Sequence, residues 1–226
     1  MKVEEFDFEL GRVASAISER RCRAVLLQFP EGLKRKAGDV ALALAGMVQA
    51  SVAGSGEPCF GACDIPDSEA DLIVHFGHLP IPNLRSERSV LYIQAKSDAD
   101  PIPAIRAALP FLESPVGLLT TAQHIHLLDD MADFLGSNGL EVLIGKGGGR
   151  LYSDGQVLGC NASAARAVSD MAGSYLFVGT GNFHPIAVAL ATTKPVIAAD
   201  PVTGGVTDVA EVRDLMLRQR HAAIER

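Results

Sequence analysis

Ala70-Asp71-Leu72-Ile73-Val74-His75-Phe76-Gly77-His78-Leu79-Pro80 and Ser174-Tyr175-Leu176-Phe177-Val178-Gly179-Thr180-Gly181-Asn182-Phe183-His184-Pro185 are two versions of one pattern. In both, a short apolar run reaches a valine, and a glycine, a histidine and a proline follow. Ahead of each run stands a cysteine on a glycine-containing loop: Gly61-Ala62-Cys63 in the first copy, Leu158-Gly159-Cys160 in the second. Short apolar runs bounded by turn residues read as strands buried on both faces. A repeat of this complexity suggests two copies of one α/β unit.

Working outward, Ala24 to Phe29 is another apolar run, stopped by Pro30, and Pro30-Glu31-Gly32 opens a helix through about Met47. Phe6 to Arg20 has helical spacing. Strands are expected near Ser51 to Ala53, at Leu72 to Phe76 and at Val90 to Ile93, parallel and joined by crossovers. Pro101-Ile102-Pro103 punctuates the middle of the chain. The order then repeats, with strands at Pro115 to Leu119, Glu141 to Ile144, Tyr175 to Val178 and Pro195 to Ala199. Helices are expected at Gln123 to Leu135, Ala162 to Ala172, His184 to Ala191 and Thr207 to Arg226. The expected fold is therefore α/β, two tandem parallel-sheet units spanning 1–105 and 106–226.

The 226 residues, 48% hydrophobic and 21% charged, suffice for a real core. A net charge of −7 argues against nucleic acid and anionic membrane as partners. The acidic opening Met1 to Asp7 lacks the apolar stretch of a secretory signal, and no apolar segment is long enough to span a bilayer. A cytoplasmic location is expected, where Cys22, Cys59, Cys63 and Cys160 are not read as a disulfide framework.

In open parallel sheets, ligands bind beyond the carboxyl ends of the strands. That rule collects Gln28 to Glu31, Cys63, His78, Gln123-His124, Cys160 and Asn182 to His184 on loops of one type, and predicts loop ends facing a common cleft. Cys63 and Cys160 offer soft thiolates suited to an iron–sulfur cluster, zinc or copper(I). No Cys-x-x-Cys run is present, so from spacing alone an assembled metal site and incidental thiols both remain open. Cys22 reads as packing, and Asp71 and His75 as structural. His124 and His126 diverge on a helix and make poor joint ligands. Gly147-Gly148-Gly149 and Gly179-Thr180-Gly181 lack the dinucleotide fingerprint and read as turns.

Taken together, Gln28-Phe29-Pro30-Glu31-Gly32-Leu33, Phe60-Gly61-Ala62-Cys63-Asp64, Val74 to His78, Gly155 to Asn161 and Val178 to Pro185 resemble the diphthamide synthase family over essentially the whole chain. The resemblance implies three similar α/β domains, each giving one cysteine to a [4Fe–4S] cluster, with Cys63 and Cys160 as the first two ligands. It implies radical transfer of a 3-amino-3-carboxypropyl group from S-adenosylmethionine to a histidine of translation elongation factor 2, with an electron donor. Gln28, Glu31, His78, Gln123, Asn182 and His184 are then expected to hold the methionine moiety. The chain ends about where the family's third domain begins. A third thiolate is expected from Cys59, a homodimer partner or a third-domain partner, and without one the chain is expected to be inactive. A non-catalytic subunit or scaffold of the same complex is the alternative. Quinolinate synthase shares the three-domain plan but not the Gln-Phe-Pro-Glu-Gly and Thr-Gly-Asn-Phe-His-Pro motifs.

Overall fold

The computed structural model describes residues 2–3, 6–82 and 86–225, which divide into two units, Met1–Asp98 and Ala99–Arg226. Pro101-Ile102-Pro103, the punctuation expected near the middle of the chain, lies just past this division. It opens the first helix of the second unit, where a proline lacks no needed donor, and Asp100 Oδ1 accepts the Ile102 N–H at 2.9 Å.

In the first unit, β1 (Lys2–Val3), β2 (Phe6–Asp7) and later β7 (Lys96–Ser97) form a small antiparallel sheet. This pairing removes Phe6 from the helix expected there. Helix α1 instead spans Leu10–Glu19 and buries Leu10, Val13 and Ile17, one stripe at helical spacing. Strand β3 (Ala24–Gln28) leads through Pro30 into a 3₁₀ turn, Glu31–Lys36, and then α2 (Ala37–Ala45). Strands β4 (Ser51–Gly54), β5 (Leu72–Phe76) and β6 (Val90–Ile93) complete a parallel sheet of order β4-β3-β5-β6.

Alternation along these strands sorts the side chains. Val25, Leu27, Val74, Phe76 and Ile93 point into a core shared with α1 and α2, where Phe8, Phe29 and Phe76 pack ring against ring. Gln28, His75 and Tyr92 fall on the other parity. Gly77 turns the chain out of β5 at φ 76°, and a Cβ there would sit 2.8 Å from Pro30 Cγ, so glycine is required on both counts.

The second unit begins with α3 (Ile102–Ala108) and β8 (Val116–Thr120). A 3₁₀ turn, Ile125–Leu127, precedes α4 (Leu128–Ser137), so the α-helix starts later than its apolar spacing suggested. Strand β9 (Val142–Leu143) is short, and α5 (Ser163–Arg166) is only the opening of the helix expected at Ala162 to Ala172. Then follow β10 (Ser174–Val178), α6 (Phe183–Ala191), β11 (Val196–Ala199), β12 (Val206–Asp208) and α7 (Ala210–Ile224). The sheet order is β12-β11-β10-β8-β9, parallel except for β12. Pairing with β11 takes Thr207 and Asp208 out of the closing helix, and Asp208 Oδ1 accepts the Ala210 N–H at 2.9 Å.

Apolar clusters cover both faces of this sheet, one around Tyr175 and Phe177, the other around Leu176 and Val178. That explains why β8, β10 and β11 read as unbroken apolar runs. Apart from β12, the two sheets thread their strands in the same order: second, first, third, fourth. Among the described residues no helix is long and apolar enough to cross a membrane.

Candidate functional site

This strand order reverses direction between the first and third strands, and ligands of open α/β sheets bind outside the carboxyl ends at that point. In the first unit the point lies between β3 and β5. Register sets Gln28 beside His75, and His75 beside Tyr92, as one polar row across three strands.

The row is wired in one direction. Gln28 Nε2 donates to the Asp64 carbonyl. Its Oε1 therefore faces His75 Nδ1, 2.8 Å away, and accepts from it. Burial, aided by His78, pushes the His75 pKa down to about 3, so the ring is neutral and its Nε2 carries a lone pair. His78 Nδ1, at 2.8 Å, must then be the donor of the next bond. The Cys59 sulfur lies 3.8 Å from His75 Nε2 and 4.0 Å from His78 Nδ1.

The loop carrying Cys63 is held against this row. Asp64 Oδ2 accepts the N–H groups of Phe60 and Gly61 at 2.7 and 2.9 Å. Tyr92 donates to the Ala62 carbonyl at 2.9 Å, and burial, then Cys63 and Cys59, raises its pKa. Glu31 Oε1 accepts the Cys59 N–H at 3.2 Å and pairs with Lys34 Nζ at 2.6 Å, which holds its carboxyl below the usual range. The two cysteines of this loop differ sharply. Cys63 is exposed, whereas Cys59 is buried and its thiol is pushed up to about 11 by desolvation and by Asp64.

In the second unit, Cys160 sits at the tip of a tight turn closed by reciprocal 3.0 Å bonds between Leu158 and Asn161, and it is exposed. The preceding Gly159 lies directly beneath the Phe183 ring, where a Cβ would overlap the ring carbons. Phe183 itself is 63% exposed. The buried Gln156 anchors the glycine-rich loop by accepting from the Tyr152 and Ser153 N–H groups at 3.0 and 3.2 Å.

His184, in the first turn of α6, stacks on Phe177 with centroids 6.2 Å apart, and burial lowers its pKa to about 4. Asn182 is exposed just before α6 and makes no side-chain cap. Gln123 is half-buried beyond β8. Beside it, His124 is buried with no hydrogen-bond partner for Nδ1 among the described residues, and burial takes its pKa to about 4. Such an orphaned ring nitrogen costs free energy and suits a group that meets a ligand.

The structure thus gathers Gln28, Glu31, Cys59, Cys63 and His78 in the first unit. It places Gln123, Cys160, Asn182 and His184 on loops of the second. The sequence reads His75 as a structural strand residue, yet it is the hub of the first cluster. The available signal was a histidine three residues before His78, across a strand-end glycine. Asp71 does have a structural role, its carboxylate accepting the Arg23 and Ala24 N–H groups at 2.7 and 2.9 Å.

Residues 29–226 match the family described as "Putative diphthamide synthesis protein". The chain is 37% identical over 213 residues to a 2-(3-amino-3-carboxypropyl)histidine synthase of Pyrococcus horikoshii, covering 89% of this chain and 59% of that one. It is 26% identical over 208 residues to the Homo sapiens 2-(3-amino-3-carboxypropyl)histidine synthase subunit 1, covering 87% and 46%. The crystal structure of Dph2 from Pyrococcus horikoshii with a 4Fe-4S cluster superposes with a TM-score of 0.83 at 33% identity, over 97% of this chain and 65% of that one. The chain therefore spans about half to two-thirds of the length of these relatives.

Proposed function

This chain belongs to the diphthamide synthesis family, and on that premise we propose that it serves the transfer of a 3-amino-3-carboxypropyl group from S-adenosylmethionine to a histidine of translation elongation factor 2. The observation that carries the reading is the state of the two motif cysteines. Cys63 and Cys160 are both exposed, on turns already fixed by hydrogen bonds.

Soft, accessible thiolates fit an iron–sulfur cluster. In this reading Cys63 and Cys160 each give one thiolate to a [4Fe–4S] cluster like that of the solved relative. Bound, the cluster supplies an open iron for the sulfonium substrate and the electron that breaks its bond to the aminocarboxypropyl carbon. Cys59 is set apart from the two motif cysteines, being buried with its sulfur against two imidazoles. A second copy or a further domain supplies the third thiolate, and an external one-electron donor reduces the cluster.

The groups offered to the methionine moiety are then Glu31 in the first unit, and Gln123, Asn182, His184 and the orphaned His124 Nδ1 in the second. Gln28 and His78 are tied into the buried row at His75. These two act by positioning the Cys63 loop.

Anaerobic reconstitution with iron and sulfide tests the reading. The chain should take up a cluster with broad visible absorption, which Cys63→Ser or Cys160→Ser abolishes and Cys22→Ser leaves intact. In calorimetry, His184→Ala should weaken S-adenosylmethionine binding more than His126→Ala. A spectrum indifferent to both motif cysteines overturns the proposal.

A further inference from the structure

We propose that Cys59, His75 and His78 form a binding site for one divalent cation of the zinc class, distinct from the cysteines that carry the family motifs. Their ligand atoms, Cys59 Sγ, His75 Nε2 and His78 Nδ1, all lie within 4.8 Å of one another, at separations of 3.8, 4.0 and 2.8 Å. A circle through three atoms so spaced has a radius of about 2.1 Å. Zinc bonds imidazole nitrogen at about 2.0–2.1 Å and thiolate at about 2.3 Å. A cation seated just out of the ligand plane therefore reaches all three and keeps an open face for water or another ligand; tetrahedral geometry asks the two imidazole nitrogens to part to about 3.3 Å. One thiolate with two imidazoles selects zinc and its close analogues over hard cations, which want oxygen.

Two further features mark a built site. A ligating histidine needs its other nitrogen fixed by an outer partner. His75 Nδ1 has one in Gln28 Oε1, which is itself anchored through Nε2 to the Asp64 carbonyl. Cys59 is pinned by reciprocal bonds with Glu31: its N–H donates to Glu31 Oε1 at 3.2 Å, and its carbonyl accepts the Glu31 N–H at 3.3 Å. Cys59 and His75 are 1% and 0% exposed, so their ligand atoms meet each other in place of water. On binding, the thiol proton leaves to solvent and the His78 proton moves from Nδ1 to Nε2, freeing all three lone pairs.

The consequence is local order. A cation at Cys59 clamps the loop to the end of the sheet just ahead of Cys63, and the Asp64 carboxylate extends that order by holding Phe60 and Gly61.

The experiment uses the full chain carrying Cys63→Ser and Cys160→Ser, stripped by chelator and titrated with Co²⁺. One equivalent should bind with a thiolate-to-cobalt charge-transfer band and tetrahedral d–d bands, all displaced by Zn²⁺. Adding Cys59→Ser should remove the charge-transfer band, and Gln28→Leu should weaken cobalt binding about 10–100-fold. His78→Gln, a change outside the core, should also weaken it, with circular dichroism confirming the fold of each variant. Zn²⁺ should slow amide exchange across residues 59–64. A folded chain that binds no cobalt, or a band that survives Cys59→Ser, overturns the proposal. Neither result bears on the iron–sulfur reading, whose thiols are absent from the chain tested.

Discussion

Gln28 Oε1 and His75 Nδ1 meet at 2.8 Å across neighbouring parallel strands, and this bond fixes which nitrogen of His75 holds its hydrogen. Both residues are buried, so neither group has water as a substitute. Gln28→Leu keeps the volume but strands the His75 N–H and the Asp64 carbonyl. Each orphaned buried group costs about 1–3 kcal/mol, so urea unfolding should show a loss of about 2–4 kcal/mol. An unchanged midpoint would mean that the amide is replaceable by packing alone.

Asp64→Ala releases the Phe60 and Gly61 N–H groups that its carboxylate holds. Amide exchange at these two positions should accelerate at least about tenfold, the equivalent of about 1.4 kcal/mol, while exchange in β8 and β10 stays as it was. Acceleration spread over the whole chain would point instead to global destabilisation.

Gly117 and Gly136 separate two uses of glycine. Gly117 lies beside Tyr175 in the sheet, where a Cβ would overlap a ring that is fully buried and tethered through its hydroxyl to the Ala165 carbonyl at 2.7 Å. Gly117→Ala should cost about 1–3 kcal/mol by overpacking. Gly136, near the end of α4, has open space around its Cβ position. Gly136→Ala should be neutral or stabilising by up to about 1 kcal/mol. Chemical denaturation of both variants gives the comparison, and equal effects would contradict it.

His124 and His184 give stability a defined pH dependence. Both have folded pKa values lowered to about 4 by burial, against 6.5 when unexposed to such burial. Between these values the unfolded chain binds the protons and the folded chain does not. Their contribution is therefore complete above about pH 6.5 and is lost as pH falls towards 4, at up to about 1.4 kcal/mol per pH unit for each histidine. His124→Asn should flatten the fall in urea midpoint between pH 6.5 and 4.5. A midpoint that rises on acidification would reverse the sign.

The strands were legible because each is a short apolar run with turn residues at both ends. Leu72–Phe76 and Val90–Ile93 lie where their residues put them. The cysteines on glycine loops were legible for the same reason. The row Gln28, His75, Tyr92 was not, because it exists only through strand register, which joins residues far apart in the chain. Cys59 and Cys63 also look alike in sequence. Burial separates them, and burial depends on which side of the loop faces the sheet. Helix ends shifted wherever a pairing competed, as at Phe6 with β7 and at Thr207 with β11.

The seat of the Phe183 ring on Gly159 bears on how a mutational survey of this chain should be interpreted. Any side chain at 159 must push aside an aromatic ring at the mouth of α6, against which the turn presenting Cys160 now rests. If Cys160 carries the proposed role, variants that disturb its turn would lose activity alongside substitutions of the cysteine itself, although a glycine donates no electrons, binds no iron and moves no proton. Activity screens alone would enrol Gly159 among the chemical residues. Thiol accessibility at Cys160, measured on the same variants, would return it to its mechanical part as a bearing surface.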